Sequence, residues 1–279
     1  MNNMYTDSMF DRIKQALTKT TENSNRFKNF LKLEAGNVYT VRLLPDLNKP
    51  EATLFKYFTH SWESFSTGQF ISAVSPHTWD KSSKDPINEA RFNLAKHGSA
   101  EEKEKIAKVI RSEKWLANIY VVNDPVTPAN NGQVRILRFG KQIYKIIAAA
   151  IEGEDSDEFG SKIFDLSEKG CSLKIKVEQQ GDFPTYVSSR FSSPSKVDDM
   201  TPEKMNTAYK SATDLKTVLT VMSTDDMKKL FDEHFHCLGD STPSSKSNDK
   251  PVDVSPTSVD DIDPLNDDKV KELLNGLGS

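Results

Sequence analysis

Cysteine is scarce in this chain of 279 residues: Cys171 and Cys237 are the only two. Two thiols cannot build a disulfide framework, and they fit a reducing compartment. No apolar run approaches the ~18 residues that a membrane helix needs, and no N-terminal apolar stretch reads as a signal peptide. The sequence has no glycine loop ending in Lys-Ser or Lys-Thr and no nucleophile elbow. Its carboxylates fall mostly in mixed-charge helices, as in the i,i+4 pair Glu101 and Lys105, or near the C-terminus. Catalysis and an organic cofactor are therefore not expected. Hydrophobic residues make up 36% of the chain and charged residues 28%, so the packed part is expected to be shorter than the whole.

The net charge of −4 is segregated. From Asp240 onward, nine acidic residues face four lysines, leaving −5 there and +1 in the remainder. Such a split points to an acidic C-terminal interaction tail. Residues 239–256 are rich in Ser, Pro, Asp and Lys and read as a disordered linker. Beyond it, Asp260, Asp261, Asp263, Asp267 and Asp268 are interleaved with Ile262, Leu265, Leu273 and Leu274. This acidic–hydrophobic alternation suits a segment that folds on protein partners. At the other end, Met9, Phe10, Ile13 and Leu17 share one face of a short helix, with Arg12 and Lys14 on the other side. Alone it is too short to be stable, and it needs a partner, either its own domain or a neighbouring molecule. Three regions follow: the N-terminal helix and its trailer at 1–25, the core at 26–238, and linker and tail at 239–279.

Within the core, residues 38–44, 54–58, 69–74, 115–122, 134–139 and 171–177 have the length or alternation of strands. Cys171, Leu173, Ile175 and Val177 alternate with Ser172, Lys174 and Lys176. Helices are expected at 100–111, 141–152, 202–212 and 225–236. The second carries Ile143, Ile146, Ile147, Ala150 and Ile151 as a core-facing stripe. The class is α+β and mostly β. Short antiparallel strands with helical insertions suit a five-stranded, partly open barrel of the oligonucleotide-binding type.

The densest signal runs from Trp115 to Ile147. A strand, a Pro/Asn/Gly-rich connection (Asp124-Pro125, Pro128, Asn131-Gly132) and a return strand lead through Arg138-Phe139-Gly140-Lys141 into a helix. Cations beside aromatics suit a polyanion with flat bases, because charge meets phosphate and a ring meets a base face. Downstream lie Gly181-Asp182-Phe183-Pro184-Thr185-Tyr186 and Arg190-Phe191; upstream lies Tyr39-Thr40-Val41-Arg42-Leu43-Leu44-Pro45. The order and spacing of these segments across residues 29–195, followed by an acidic end, resemble the single-stranded DNA-binding, helix-destabilising replication proteins of T-even-type tailed phages.

The resemblance implies a non-catalytic protein that coats single-stranded DNA cooperatively, without sequence preference, in replication, recombination and repair. Its partners would be single-stranded DNA, further copies of itself, and phage replication and recombination proteins met through the tail; its place would be the host cytoplasm. Arg42, Arg111, Lys114, Arg138, Lys141 and Arg190 would meet phosphates, and Tyr120, Phe183, Tyr186 and Phe191 would meet bases. The family's zinc insertion uses one His and three Cys. Here His60 takes the histidine's place, but residues 70–92 contain no cysteine, and Asp85-Pro86-Ile87-Asn88 stands where a Cys-Pro-X-Cys pair would be. His60 and His77 supply two of four ligands, so the metal is expected to be lost. His234, His236 and Cys237 are not expected to bind metal, since the two histidines diverge on a helix. An alternative reading is a replication adaptor that acts through its acidic tail with little DNA affinity.

Overall fold

The computed structural model describes residues 29–181 and 183–238. The expected self-association helix and the acidic tail lie outside these residues. Nine strands are described: β1 Val38–Leu44, β2 Phe55–Glu63, β3 Phe70–Val74, β4 Ile110–Asn123, β5 Val134–Phe139, β6 Leu173–Lys176, β7 Glu178–Gln180, β8 Phe183–Thr185 and β9 Arg190–Phe191. Five α-helices accompany them: α1 Pro86–His97, α2 Ala100–Ala107, α3 Lys141–Glu152, α4 Pro202–Lys210 and α5 Thr224–His234.

Strand β4 organises the molecule. Its residues 110–116 pair antiparallel with β2, and its residues 118–123 pair with β1. Residues 115–120 also pair with β5. The sheet runs β3-β2-β4-β1-β6-β9 with β5 joined to β4, and β7 and β8 form a separate hairpin. This is an open seven-stranded antiparallel sheet rather than a five-stranded barrel, since β3 and β9 end the path without pairing to each other. The sequence of β4 explains its dual role. Arg111-Ser112-Glu113-Lys114 alternates with modest burial, whereas 115–121 is buried throughout and is apolar on both faces except for Asn118.

Two large cores result. The first gathers Tyr39, Val41, Leu43, Ala117, Ile119, Val121, Leu137, Leu173 and Ile175 under α3. Ile143, Ile147 and Ala150 carry the helix stripe inward, while Ile151 is 37% exposed. The second core holds Trp62, Ala73, Ile87, Ile106 and Val109, closed by Met227, Phe231 and Phe235 near the C-terminal end of the described chain. Phe231 stacks on Phe235 at 4.5 Å and meets Trp62 edge-on at 5.8 Å. Helix α5 thus seals a core built from β2, β3, α1 and α2.

Several elements depart from expectation. Helix α2 ends at Ala107 rather than 111, because Val109 and Ile110 favour an extended chain and Ile110 opens β4. Strand β2 continues to Glu63, five residues beyond the expected end. Helix α1 has no counterpart among the expected elements. Asp85 caps it, its carboxylate accepting from the Asn88 N–H, with Pro86 in the first turn.

Candidate nucleic-acid interface

Strand β5 ends at Phe139, and Gly140 turns the chain directly into α3 without a side-chain cap. Arg138 on β5 lies opposite Leu116 of β4, and Lys141 is the first residue of α3. The next residue, Gln142, does something the sequence did not advertise. It is buried, and its Oε1 accepts the Tyr186 backbone N–H at 2.6 Å and the Thr185 hydroxyl at 3.4 Å. That clamp pins the end of β8 to the first turn of α3. It brings Lys141 and the Phe183–Tyr186 segment into one neighbourhood, although over forty positions separate Gln142 from Tyr186.

Within that segment the aromatics divide. Phe183 is 39% exposed, whereas Tyr186 is 8% and belongs to the first core. Phe191 is also buried there, its ring 5.7 Å from Phe159. Arg190, by contrast, is exposed opposite Lys174. The alternation of a strand accounts for the split between Arg190 and Phe191. Tyr120 is buried in a third cluster with Leu44, Leu166, Val197 and Ala208, and is corrected from interface to packing residue. Tyr186 and Phe191 are corrected likewise, because their rings are committed to the interior.

Arg42 is the largest correction. It is fully buried, and its guanidinium donates to Ser172 Oγ at 2.7 Å, Asp165 O at 2.7 Å and Ser195 O at 2.5 Å. A group so engaged cannot reach a phosphate; it fastens the loop residues Asp165 and Ser195 to β1. Arg111 and Lys114 are three apart on β4 and so lie on opposite sheet faces. Arg111 sits over the Phe58 ring at 4.1 Å, while Lys114 is opposite Tyr57. Lys114 therefore shares its face with Arg138, not with Arg111.

The residues where zinc would be expected form a different arrangement. His60 Nε2 is 2.8 Å from Asp85 Oδ2, and Ser75 Oγ donates to the same oxygen at 2.5 Å. All three residues are buried, between β2, the start of α1 and the turn after β3. His77 Nε2 instead lies 3.0 Å from the Ser83 carbonyl. Among the described residues no group of three or more His, Cys, Asp or Glu could hold a metal. One imidazole and one carboxylate already spent on each other do not fit a tetrahedral zinc centre. Protein purified without chelator is expected to carry no stoichiometric zinc by elemental analysis, and EDTA is expected to leave the melting temperature unchanged. One zinc per chain, or unfolding by chelator, contradicts this.

Comparison with known proteins decides the family. A family model described as "gp32 DNA binding protein like" matches residues 34–233. The chain belongs to the gp32-like DNA-binding protein family. It is 28% identical over 207 residues to the "Single-stranded DNA-binding protein" of Enterobacteria phage T4, covering 73% of this chain and 66% of that protein. It is 32% identical over 127 residues to the protein of the same name from Enterobacteria phage T2, covering 45% and 40% respectively. The chain thus spans just under two thirds of the T4 protein. The gp32-like match covers β1 and most of both cores, ending one residue before the close of α5, and includes the cluster of His60, Ser75 and Asp85.

Proposed function

We propose that this chain is a non-catalytic, sequence-tolerant single-stranded DNA-binding protein acting in phage DNA replication, recombination and repair. The observation that carries the reading is the junction of β5, α3 and β8. There Gln142 holds the segment with the exposed Phe183 ring against the first turn of α3, beside Lys141, and Arg138 stands at the end of β5 just before that turn. The open sheet with α3 packed beneath is read as an oligonucleotide-binding-type platform that lost closure. Arg111, Lys114, Arg138, Lys141 and Arg190 supply cations for phosphates, and Phe183 supplies a π-face that any base can use. Because duplex presents no splayed bases, binding favours the melted state by mass action. Residues 1–25, with Arg12 and Lys14, are assigned to contacts between neighbouring copies. The segment holding Asp260, Asp261, Asp263, Asp267, Asp268, Leu273 and Leu274 is assigned to protein partners in the host cytoplasm.

The test is a titration of labelled oligothymidylate across salt concentration. Each phosphate neutralised adds about −0.7 to the log–log slope on single strands. Arg138→Glu is expected to weaken binding to all sequences alike and to flatten the slope by about 0.7 for each phosphate it no longer holds. Removing residues 240–279 in the same assay is expected to tighten binding, most at low salt, where the tail's competition with phosphate is least screened. Salt-independent binding, or a preference for duplex, refutes the reading.

A further inference from the structure

One face of the β2–β4 ribbon carries a row of alternating cations and rings. The register pairs Lys56 with Trp115, Phe58 with Glu113 and His60 with Arg111, which places these residues on a single side of the sheet. The Arg111 guanidinium lies 4.1 Å from the Phe58 ring centre, and the Lys56 ammonium 5.1 Å from the same ring. Lys56 also approaches the Trp115 ring at 5.5 Å. Trp115 then stacks on Tyr144 of α3 at 4.2 Å with an interplanar angle of 12°. Tyr144 follows Lys141 by three positions, so the row ends on the side of α3 that presents Lys141.

Exposure differentiates the members. Trp115 is 4% exposed and serves as the floor, whereas Phe58, Arg111 and Tyr144 are partly exposed. Glu113 sits on the same face, and its carboxylate binds the Lys56 ammonium at 2.9 Å. Both side chains remain well exposed, at 44% for Lys56 and 32% for Glu113. An exposed pair of this kind contributes little to folding. It does, however, neutralise the one cation that stands between two rings.

We propose that this row is a second binding lane for single-stranded DNA. Phe58 and Tyr144 stack bases, Lys56 and Arg111 meet phosphates, and Glu113 competes with phosphate for Lys56. The lane rests on the single-strand reading above and extends the strand's path from Lys141 across β4 and β2. A strand is the occupant that fits, because the row alternates charge and π-face as a phosphate chain alternates with its bases. A purely apolar or purely acidic partner would leave half the row unmatched. In the free protein Glu113 holds Lys56 against its own surface; an arriving phosphate displaces the carboxylate.

Fluorescence anisotropy with oligothymidylates of about 8 and about 16 nucleotides, within the range of site sizes for such folds, tests the lane. Phe58→Leu and Tyr144→Leu keep apolar bulk and remove the ring. Each is expected to weaken binding to the longer strand at least roughly fivefold, the lower end of base–aromatic stacking. Glu113→Gln is expected to tighten binding about threefold at low salt and to steepen the salt slope by about 0.7, one further phosphate neutralised. A gain in affinity cannot come from misfolding, so this variant decides the matter even if the ring variants lose stability. No binding by the unaltered chain refutes the single-strand reading and the lane with it. Binding by the unaltered chain that Phe58→Leu, Tyr144→Leu and Glu113→Gln leave unchanged overturns the lane alone.

Discussion

Asp85→Ala is expected to lower stability by roughly 3–5 kcal/mol, from about 1–3 kcal/mol for each of two buried donors left unpaired and about 1 for the lost helix cap. The carboxylate is almost fully buried and accepts from His60, from Ser75 and, at 2.9 Å, from the Asn88 N–H that begins α1. Its removal orphans a buried imidazole and a buried hydroxyl and uncaps the helix in one step. Urea denaturation measures the loss. A change below about 1 kcal/mol would place the cluster among dispensable contacts.

The protonation of the pair follows from its surroundings. Burial pushes the His60 imidazole down from 6.5, and the nearby Arg91 and Arg111 push the same way, against the pull of Asp85. Burial also opposes the charge on Asp85, but hydrogen bonds from His60, Ser75 and Asn88 outweigh it and hold the carboxyl well below its ordinary range. The ring is therefore neutral, donates its Nε2–H to Asp85, and leaves Nδ1 as a buried acceptor without a partner. A histidine lowered on folding stabilises at high pH, and its contribution starts to fade as pH falls through the unfolded value near 6.5. Asp85 contributes down to its unfolded value near 3.8, and its share is lost only below that. His60 should accordingly make stability decline from about pH 7 to about pH 5. His60→Gln keeps an Nε donor and should flatten that limb relative to the unaltered chain. Equal slopes in the two proteins would overturn the neutral assignment.

The cluster also shows how far the sequence could be read. Asp85-Pro86 reads as a departure from a metal-ligand pair, and that reading hides a plainer one. An Asp followed by Pro is a helix start, and α1 runs twelve residues from it. β6 and α3 were legible because β6 alternates cleanly and α3 has a clean helical stripe. The paired aromatics at the end of α5 were legible only as part of a helix. That Phe231 and Phe235 close the second core depends on contacts with Trp62, far away in sequence. For the interface, residue type could nominate Arg138 and Lys141. It could not distinguish an arginine that faces solvent from one that fastens loops, because both occur on strands of the same pattern. Nor could it nominate Gln142 or Phe58, whose meaning lies wholly in what the fold sets beside them.

Arg42 makes that distinction measurable. Its guanidinium serves three acceptors in three directions, a geometry that a lysine ammonium on a flexible stem cannot reproduce. Gly170 belongs to the same construction: a Cβ there would run into the Asp165 carbonyl and the Arg42 Nη1. Arg42→Lys keeps the charge yet leaves buried acceptors without donors, at about 1–3 kcal/mol for each one orphaned. With one or two orphaned, the expected loss is roughly 2–4 kcal/mol. For a core of this size that corresponds to a melting temperature lower by about 2–4 °C per kcal/mol. Gly170→Ala should destabilise as well, since the backbone carbonyl it meets cannot swing aside. Neither change removes a cation from the proposed DNA-facing surface, so the salt slope of single-strand binding should match that of the unaltered chain at temperatures where the variants remain folded. Arg138→Glu is expected to behave inversely, with the slope altered and the melting temperature nearly unmoved. If Arg42→Lys instead left stability intact and reduced the slope, Arg42 would reach DNA after all, and the loop it fastens would have to open for binding.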